Sequence, residues 1–191
     1  MTVTLRDERV DIPITETRTG YRGRVWDVVE DRLDYNGHDI VRHYIAHPGA
    51  SAIVAIDDAE RVLLIQQYRH PIRTREWEIP AGLHDVDGED HLAGAQRELA
   101  EEADLVAEHW ESLGTFALSP GSSAELIEIF LATGLSASGE TFAREAEESD
   151  MLLEWVPLEE ALQGVRDGRF ANATLALGLL LAADRIRRRG A

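Results

Sequence analysis

The chain has 191 residues, 44% of them apolar, which is enough for one sizeable core with a small appended element and too little for two full domains. A net charge of −17, with one dense basic run ("RIRRRG") near the C-terminus, argues against general nucleic-acid binding. Cysteine is absent, which excludes disulfides and thiolate metal sites.

Residues 1–20 are polar and weakly patterned and read as an arm or frayed lead-in, with no basic start, apolar run and small-residue cleavage site. The expectation is therefore a cytoplasmic protein. "YRGRVWDVVEDRL" and "HDIVRHYIAH" alternate well enough for two strands joined by a turn at Asn36-Gly37. "SAIVAI" and "RVLLIQQY" flank "DDAE" and predict a second hairpin. "EWEIP" is a short extended piece ending at Pro80, whose ring disfavours helix in Ile79. The segment "AGLHDVDGED" reads as a glycine-containing loop, and a helix follows it. Asp90 is its expected N-cap, and Leu92, Ala95, Leu99, Ala103 and Val106 form its apolar stripe.

Beyond the helix, "WESLGTFAL" and "ELIEIFLAT" read as strands around the loop "SPGSSA". A polar acidic loop, a strand "LLEWVP" and helices near 158–167 and 172–188 complete the chain. The last helix is apolar nearly all round, which predicts burial against the sheet or a partner chain. Its run "ATLALGLLLAA" is well short of the ~20 residues that a membrane span needs. Strands and helices mix without regular βαβ alternation, so the fold class is α+β, with a mixed sheet.

The densest chemistry lies in "RELAEEAD", Arg97 to Asp104. On a helix, Glu98, Glu101 and Glu102 are i,i+3 and i,i+4 neighbours and project as one fan. Their mutual repulsion costs only ~0.2–0.5 kcal/mol per pair, which a solvated surface carries without purpose. At about 100° per residue, however, Glu98 and Glu102 lie beside the apolar stripe, at the edge of the core, with Glu101 further round. A carboxylate fan there is a shelf for a hard divalent cation, and such a cation would reverse the acidic field for an anionic substrate.

Gly82, Glu89, Arg97, Glu98, Leu99, Glu101, Glu102 and Leu105 together resemble the signature of the Nudix hydrolases, G-x5-E-x7-R-E-U-x-E-E-x-G-U, where U is apolar. Asp104 stands where that signature has glycine, and Gly82 lies one residue too far upstream. The first departure predicts a slightly different helix end; the second leaves open whether Gly82 or Gly88 makes the turn. The resemblance implies an α/β/α sandwich with a mixed central sheet, here residues 48–191, preceded by an amino-terminal β extension over residues 1–47.

"QQYRHPIRTREWEIPAGL", "SPGSSAELIEIFLA" and "EESDM" further resemble the ADP-ribose pyrophosphatase subgroup. That resemblance implies hydrolysis of ADP-ribose to AMP and ribose 5-phosphate with Mg²⁺ or Mn²⁺. It implies metal ligands at Glu98, Glu101, Glu102, the Ala81 carbonyl and Glu148, with Glu148 either a ligand or the group that activates water. Glu101 and Arg97 complete the expected catalytic set, Arg97 by pairing with a carboxylate of the motif and holding loop to helix. Arg69 and Glu78 match substrate-contacting positions, although a strand-end salt bridge explains them equally well, and Glu125 is a further substrate candidate. The implied partners are a small nucleoside diphosphate and a second copy of the chain, with no nucleic acid or membrane. Two other readings stand beside this one: the same chemistry on a nucleotide sugar, dinucleotide or oxidised nucleotide, and a non-catalytic ligand sensor.

Overall fold

The structure is a computed structural model that describes residues 5–139, 142 and 150–190. The chain divides into two compact units, one made of the segment up to His47 with Ser119–Ala124, the other of Pro48–Leu118 with the chain from Glu125 onward.

The first unit is an antiparallel sheet in the order β1 (Ile14–Tyr21), β2 (Asp27–Tyr35), β3 (His38–Ala46). Asn36 and Gly37 join β2 to β3 with φ of 56° and 79°. Both central residues are thus left-handed, the geometry that matches the twist of a two-residue hairpin. β1 corrects the expectation of an arm. Every residue in it is exposed, so no apolar alternation betrays it, and it is a strand because its backbone pairs with β2. A buried carboxylate, Asp31, accepts from Thr17 Oγ1 at 2.7 Å and from the Tyr44 hydroxyl at 2.9 Å, tying the three strands together. That hydrogen bond holds the Tyr44 phenol above its ordinary range. The "SPGSSA" loop joins this unit through Ile45, whose N–H donates to the Ser122 carbonyl at 2.9 Å and whose carbonyl accepts from Ala124 N at 3.0 Å.

The second unit contains two sheets. One has the order β7 (Ala81–Leu83), β4 (Ala50–Ala55), β9 (Ile127–Ala137), β8 (Leu105–Phe116); the other has β10 (Leu152–Pro157), β5 (Arg61–Arg69), β6 (Thr74–Glu78). β4 runs parallel to β9 and antiparallel to β7, so the sheet is mixed. The expected β4–β5 hairpin is corrected here. The two strands share one isolated bridge, Ile56 with Val62, and then part into different sheets. All of β4 is buried, as suits an inner strand covered on both faces, and it pairs with β7 and β9 instead of β5. Ala81–Leu83, expected to be loop, is strand β7 because it pairs with β4.

Helices α1 (His91–Ala103) and α3 (Ala173–Arg189) cover opposite faces of β4 and β9, and α2 (Leu158–Arg166) packs beside α3. Ala52, Val54, Ile56, Ile129 and Leu131 meet Leu175, Leu179 and Ala182 of α3, whereas Ile53, Ala55, Phe130 and Ala132 meet Ala95 and Leu99 of α1. Odd and even positions of β4 thus serve different helices, as the two-residue period of a strand requires. Gly178 lets α3 approach closely: a Cβ there would lie 2.9 Å from Val54 Cγ2 and 3.1 Å from Ile79 Cδ1. Among the described residues, no helix is long and apolar enough to cross a membrane.

Candidate functional site

The Asp90 carboxylate accepts from Ala93 N at 2.8 Å and starts α1 as an N-cap. The helix ends at Asp104, whose φ of 56° and ψ of 33° are left-handed. The helix end is therefore the one glycine would give, not the altered one the substitution predicted, and aspartate accepts that conformation more readily than most residues. The buried stripe is also narrower than predicted. Ala95, Leu99 and Glu102 carry it together with Gly94, whereas Leu92 is exposed in the first turn and Val106 lies beyond the helix in β8.

Glu102 therefore occupies a core position. It is only 5% exposed, and its Oε2 accepts the Ala81 N–H at 2.9 Å, joining α1 to β7. Glu98 is nearly as enclosed, while Glu101 is more open. Arg97 sits at the centre of the cluster. Its Nη1 donates to Glu98 Oε1 at 2.6 Å and to Glu101 Oε2 at 3.1 Å, while Nε and Nη2 reach the two oxygens of Glu89 at 3.2 and 3.1 Å. Hydrogen bonding to Glu89 leads the causes that hold the guanidinium firmly protonated. Burial pushes the Glu98 carboxyl above its ordinary range, opposed by Arg97 and reinforced by Glu101 and Asp85.

Two glycines that the sequence could not distinguish have different roles. Gly88, at φ 80°, makes the turn in the loop before α1. Gly82 clears space for Glu98: a Cβ on it would lie 1.8 Å from Glu98 Cδ and 2.0 Å from Oε1. Glu98 is thus seated against bare backbone at the start of β7. Ala81, Arg97, Glu98, Glu101 and Glu102 are all brought to this β7–α1 junction. Among the described residues, no three His, Asp or Glu side chains converge as a ready metal cage. Arg97 holds two of the carboxylates, and Glu102 is turned to the Ala81 amide. Glu148 lies outside the described residues.

Arg69, at the end of β5, and Glu78, at the end of β6, pair as a fork, Nε to Oε1 at 2.7 Å and Nη2 to Oε2 at 2.6 Å. The hydrogen bond to Glu78 leads the causes that keep Arg69 protonated, and the Glu102 charge adds to it. Glu78 is 5% exposed and is paired through both oxygens, so the fork anchors the strand end. Glu125 is half-buried just before β9. His43 pairs with Glu30 at 3.0 Å and His47 stacks on Trp26, so each has a role inside the first unit. Sequence reasoning gave Glu89 no role of its own and Gly82 only a possible turn. Glu89 as the second anchor of Arg97 was readable from the motif; the Gly82–Glu98 contact was not, because it joins two elements whose packing the motif does not state.

The NUDIX domain family model matches residues 46–175. The chain is 39% identical over 171 residues to an ADP-ribose pyrophosphatase of Mycobacterium tuberculosis, covering 89% of this chain and 82% of that protein. It is 34% identical over 165 residues to a methanol dehydrogenase activator of Bacillus methanolicus, covering 86% and 88% of the two. The crystal structure of an ADP compounds hydrolase superposes with a TM-score of 0.79 at 22% identity, over 97% of this chain and 99% of that one, and supports the fold. With the arginine-centred carboxylates of α1 in the matched segment, the chain belongs to the Nudix family.

Proposed function

We propose that this protein hydrolyses the pyrophosphate bond of ADP-ribose, giving AMP and ribose 5-phosphate, with Mg²⁺ as its metal. The observation that carries the reading is the β7–α1 junction, where Glu98, seated against Gly82, and Glu101 flank Arg97, and Glu102 closes the core side. The donor set fits a hard divalent cation. It consists of carboxylate oxygens, and Glu98 carries a desolvation cost that a bound cation would offset. Glu98, Glu101 and Glu102 would hold the metal with the Ala81 carbonyl and Glu148. When bound, Mg²⁺ supplies neutralisation of phosphate oxygens and easier ionisation of water.

The chain's own residues do the rest. Arg97, fixed by Glu89, orients Glu98 and Glu101 and would keep the loop against the helix with a cation bound. Arg69 offers its guanidinium to the diphosphate and Glu78 aims it; Glu125 lies towards the ribose end. Glu148 is either a further metal ligand or the group that accepts the proton of the attacking water, whose oxygen bonds to one phosphorus as the bridging P–O bond breaks.

The substrate choice is supported by the ADP-ribose pyrophosphatase relative. A second reading keeps the same chemistry on another nucleoside diphosphate derivative, such as a nucleotide sugar, dinucleotide or oxidised nucleotide. A non-catalytic sensor is disfavoured, since every carboxylate of the helix motif is present. Residues 1–47 act as a dimerisation arm in a cytoplasmic homodimer and residues 48–191 as the hydrolase domain, a reading that the fully exposed β1 supports. The test is a panel of ADP-ribose, nucleotide sugars, dinucleotides and oxidised nucleotides with Mg²⁺, Mn²⁺ or chelator, with products identified. ADP-ribose cleaved fastest, to AMP, in a chelator-sensitive way is expected; no ADP-ribose turnover with either metal would overturn the substrate assignment.

A further inference from the structure

The loop that carries Glu89 is closed at its base by two histidines. His84 follows β7 and His91 is the first residue of α1; their rings stack with centroids 4.0 Å apart and planes 18° from parallel. Ser51, fully buried on β4, joins both ends of the loop, with its Oγ 2.8 Å from His84 Nε2 and 2.9 Å from the His91 carbonyl oxygen. A carbonyl only accepts, so the serine proton goes to it, and Ser51 Oγ must accept from His84 Nε2–H. The opposite ring is held as well: His91 Nδ1 lies 2.8 Å from Glu128 Oε2, and Ser112 Oγ donates to Glu128 Oε1 at 2.6 Å.

The backbone makes room for the His84 ring. A Cβ on Gly49, at φ 99°, would lie 3.0 Å from His84 Nδ1. A Cβ on Gly94, buried in the first turn of α1, would lie 3.2 Å from Glu89 Oε2 and 3.8 Å from His84 Cδ2. The imidazole and the Glu89 carboxylate therefore share one bare patch of helix.

We infer that His84, stacked on His91 and hydrogen-bonded to Ser51, is a positioning residue for Glu89, and through Glu89 sets the Arg97 guanidinium that orients Glu98 and Glu101. The inference rests on the hydrolase reading for its kinetic part only. Outer groups that orient a metal site are worth about 10- to 100-fold each. His84→Ala is thus expected to lower kcat on ADP-ribose with Mg²⁺ by about 10- to 100-fold with KM little changed, and His84→Gln, which keeps an N–H for Ser51, to recover part of it.

The decisive variant is His84→Ala combined with Glu89→Gln. If His84 acts through Glu89, the double variant is no slower than Glu89→Gln alone; if the two losses multiply, or His84→Ala leaves kcat unchanged, the inference is overturned. Amide hydrogen exchange without substrate supplies the second readout. Residues 85–90 should exchange faster in His84→Ala while α3 keeps its protection, and unchanged loop exchange would overturn the clamp. A wild-type protein that does not cleave ADP-ribose would remove the function assignment alone, with loop exchange still deciding the clamp.

Discussion

Helices α1 and α3 lie on opposite faces of the same two strands, yet the faces are built to different rules. The α3 face is apolar apart from Thr174, from Ala52, Val54 and Ile129 to Leu175, Leu179 and Ala182, and Gly178 lets the helix approach it closely. The α1 face is apolar only around Ile53, Ala55, Phe130, Ala95 and Leu99. At the next helical turn the buried residue is Glu102, and the strand starts beneath α1 carry Ser51 and Glu128. One face stores stability; the other spends part of its burial on charge. A buried carboxylate disfavours folding unless it is paired, so α1 needs Arg97 and the Ala81 amide where α3 needs only shape.

Glu98→Gln should separate the faces most sharply. It removes a proposed metal ligand rather than an outer group, so turnover with Mg²⁺ is expected to fall by more than about 100-fold. Folding stability should change by only about 1 kcal/mol, because the amide loses a charge-assisted bond to Arg97 and also a desolvation cost. Steady-state kinetics and a thermal melt decide, and a fully active variant would remove Glu98 from the metal site.

Gly82→Ala approaches the same carboxylate from the strand. The new methyl would overlap Glu98 Cδ, so the carboxylate must move, and displacement on the order of 1 Å in a reacting site costs about 100-fold in rate. Wild-type kcat in this variant would show that Glu98 does not depend on the Gly82 seat. Gly178→Val is the opposing experiment on the α3 face. Overpacking against Val54 and Ile79 should cost about 1–3 kcal/mol of stability while activity per folded molecule is kept. Urea denaturation beside active-site titration tests it; a loss of kcat without loss of stability would mean the faces are not separable.

What was legible in the sequence follows the same division. Local rules recovered α1, because Asp90 caps it and the carboxylate spacing is a helical period, and they recovered the Asn36-Gly37 hairpin, where the turn residues determine the geometry. Pairing beyond the local was not legible. "SAIVAI" reads as a strand in any context, but its partners β9 and β7 lie far along the chain, which neighbouring residues do not encode. β1 escaped for the opposite reason: it buries neither face and so has no pattern. In the site, residue types and spacings pointed to the carboxylates, whereas the Gly82 seat and the His84–His91 stack arise from contacts between elements and became visible only in three dimensions.

Asp104 carries the smallest expected effect and the finest test. At φ 56° an aspartate gives up about 1 kcal/mol relative to glycine. Its side chain returns part of that: Oδ1 accepts the Phe142 N–H at 3.1 Å, a bond worth about 0.5–1.5 kcal/mol. The backbone contributes equally in either case, since the Asp104 carbonyl accepts from Ser138 N and its N–H closes the helix on Ala100 whatever the side chain is. The two side-chain effects nearly cancel, so Asp104→Gly should leave stability within about 0.5 kcal/mol of the parent. Asp104→Ala keeps the left-handed cost and loses the acceptor, and should be less stable by about 1–2 kcal/mol. Urea midpoints for the three proteins, at unchanged m-value, measure both differences. An alanine variant as stable as the parent would mean that the Phe142 bond contributes nothing.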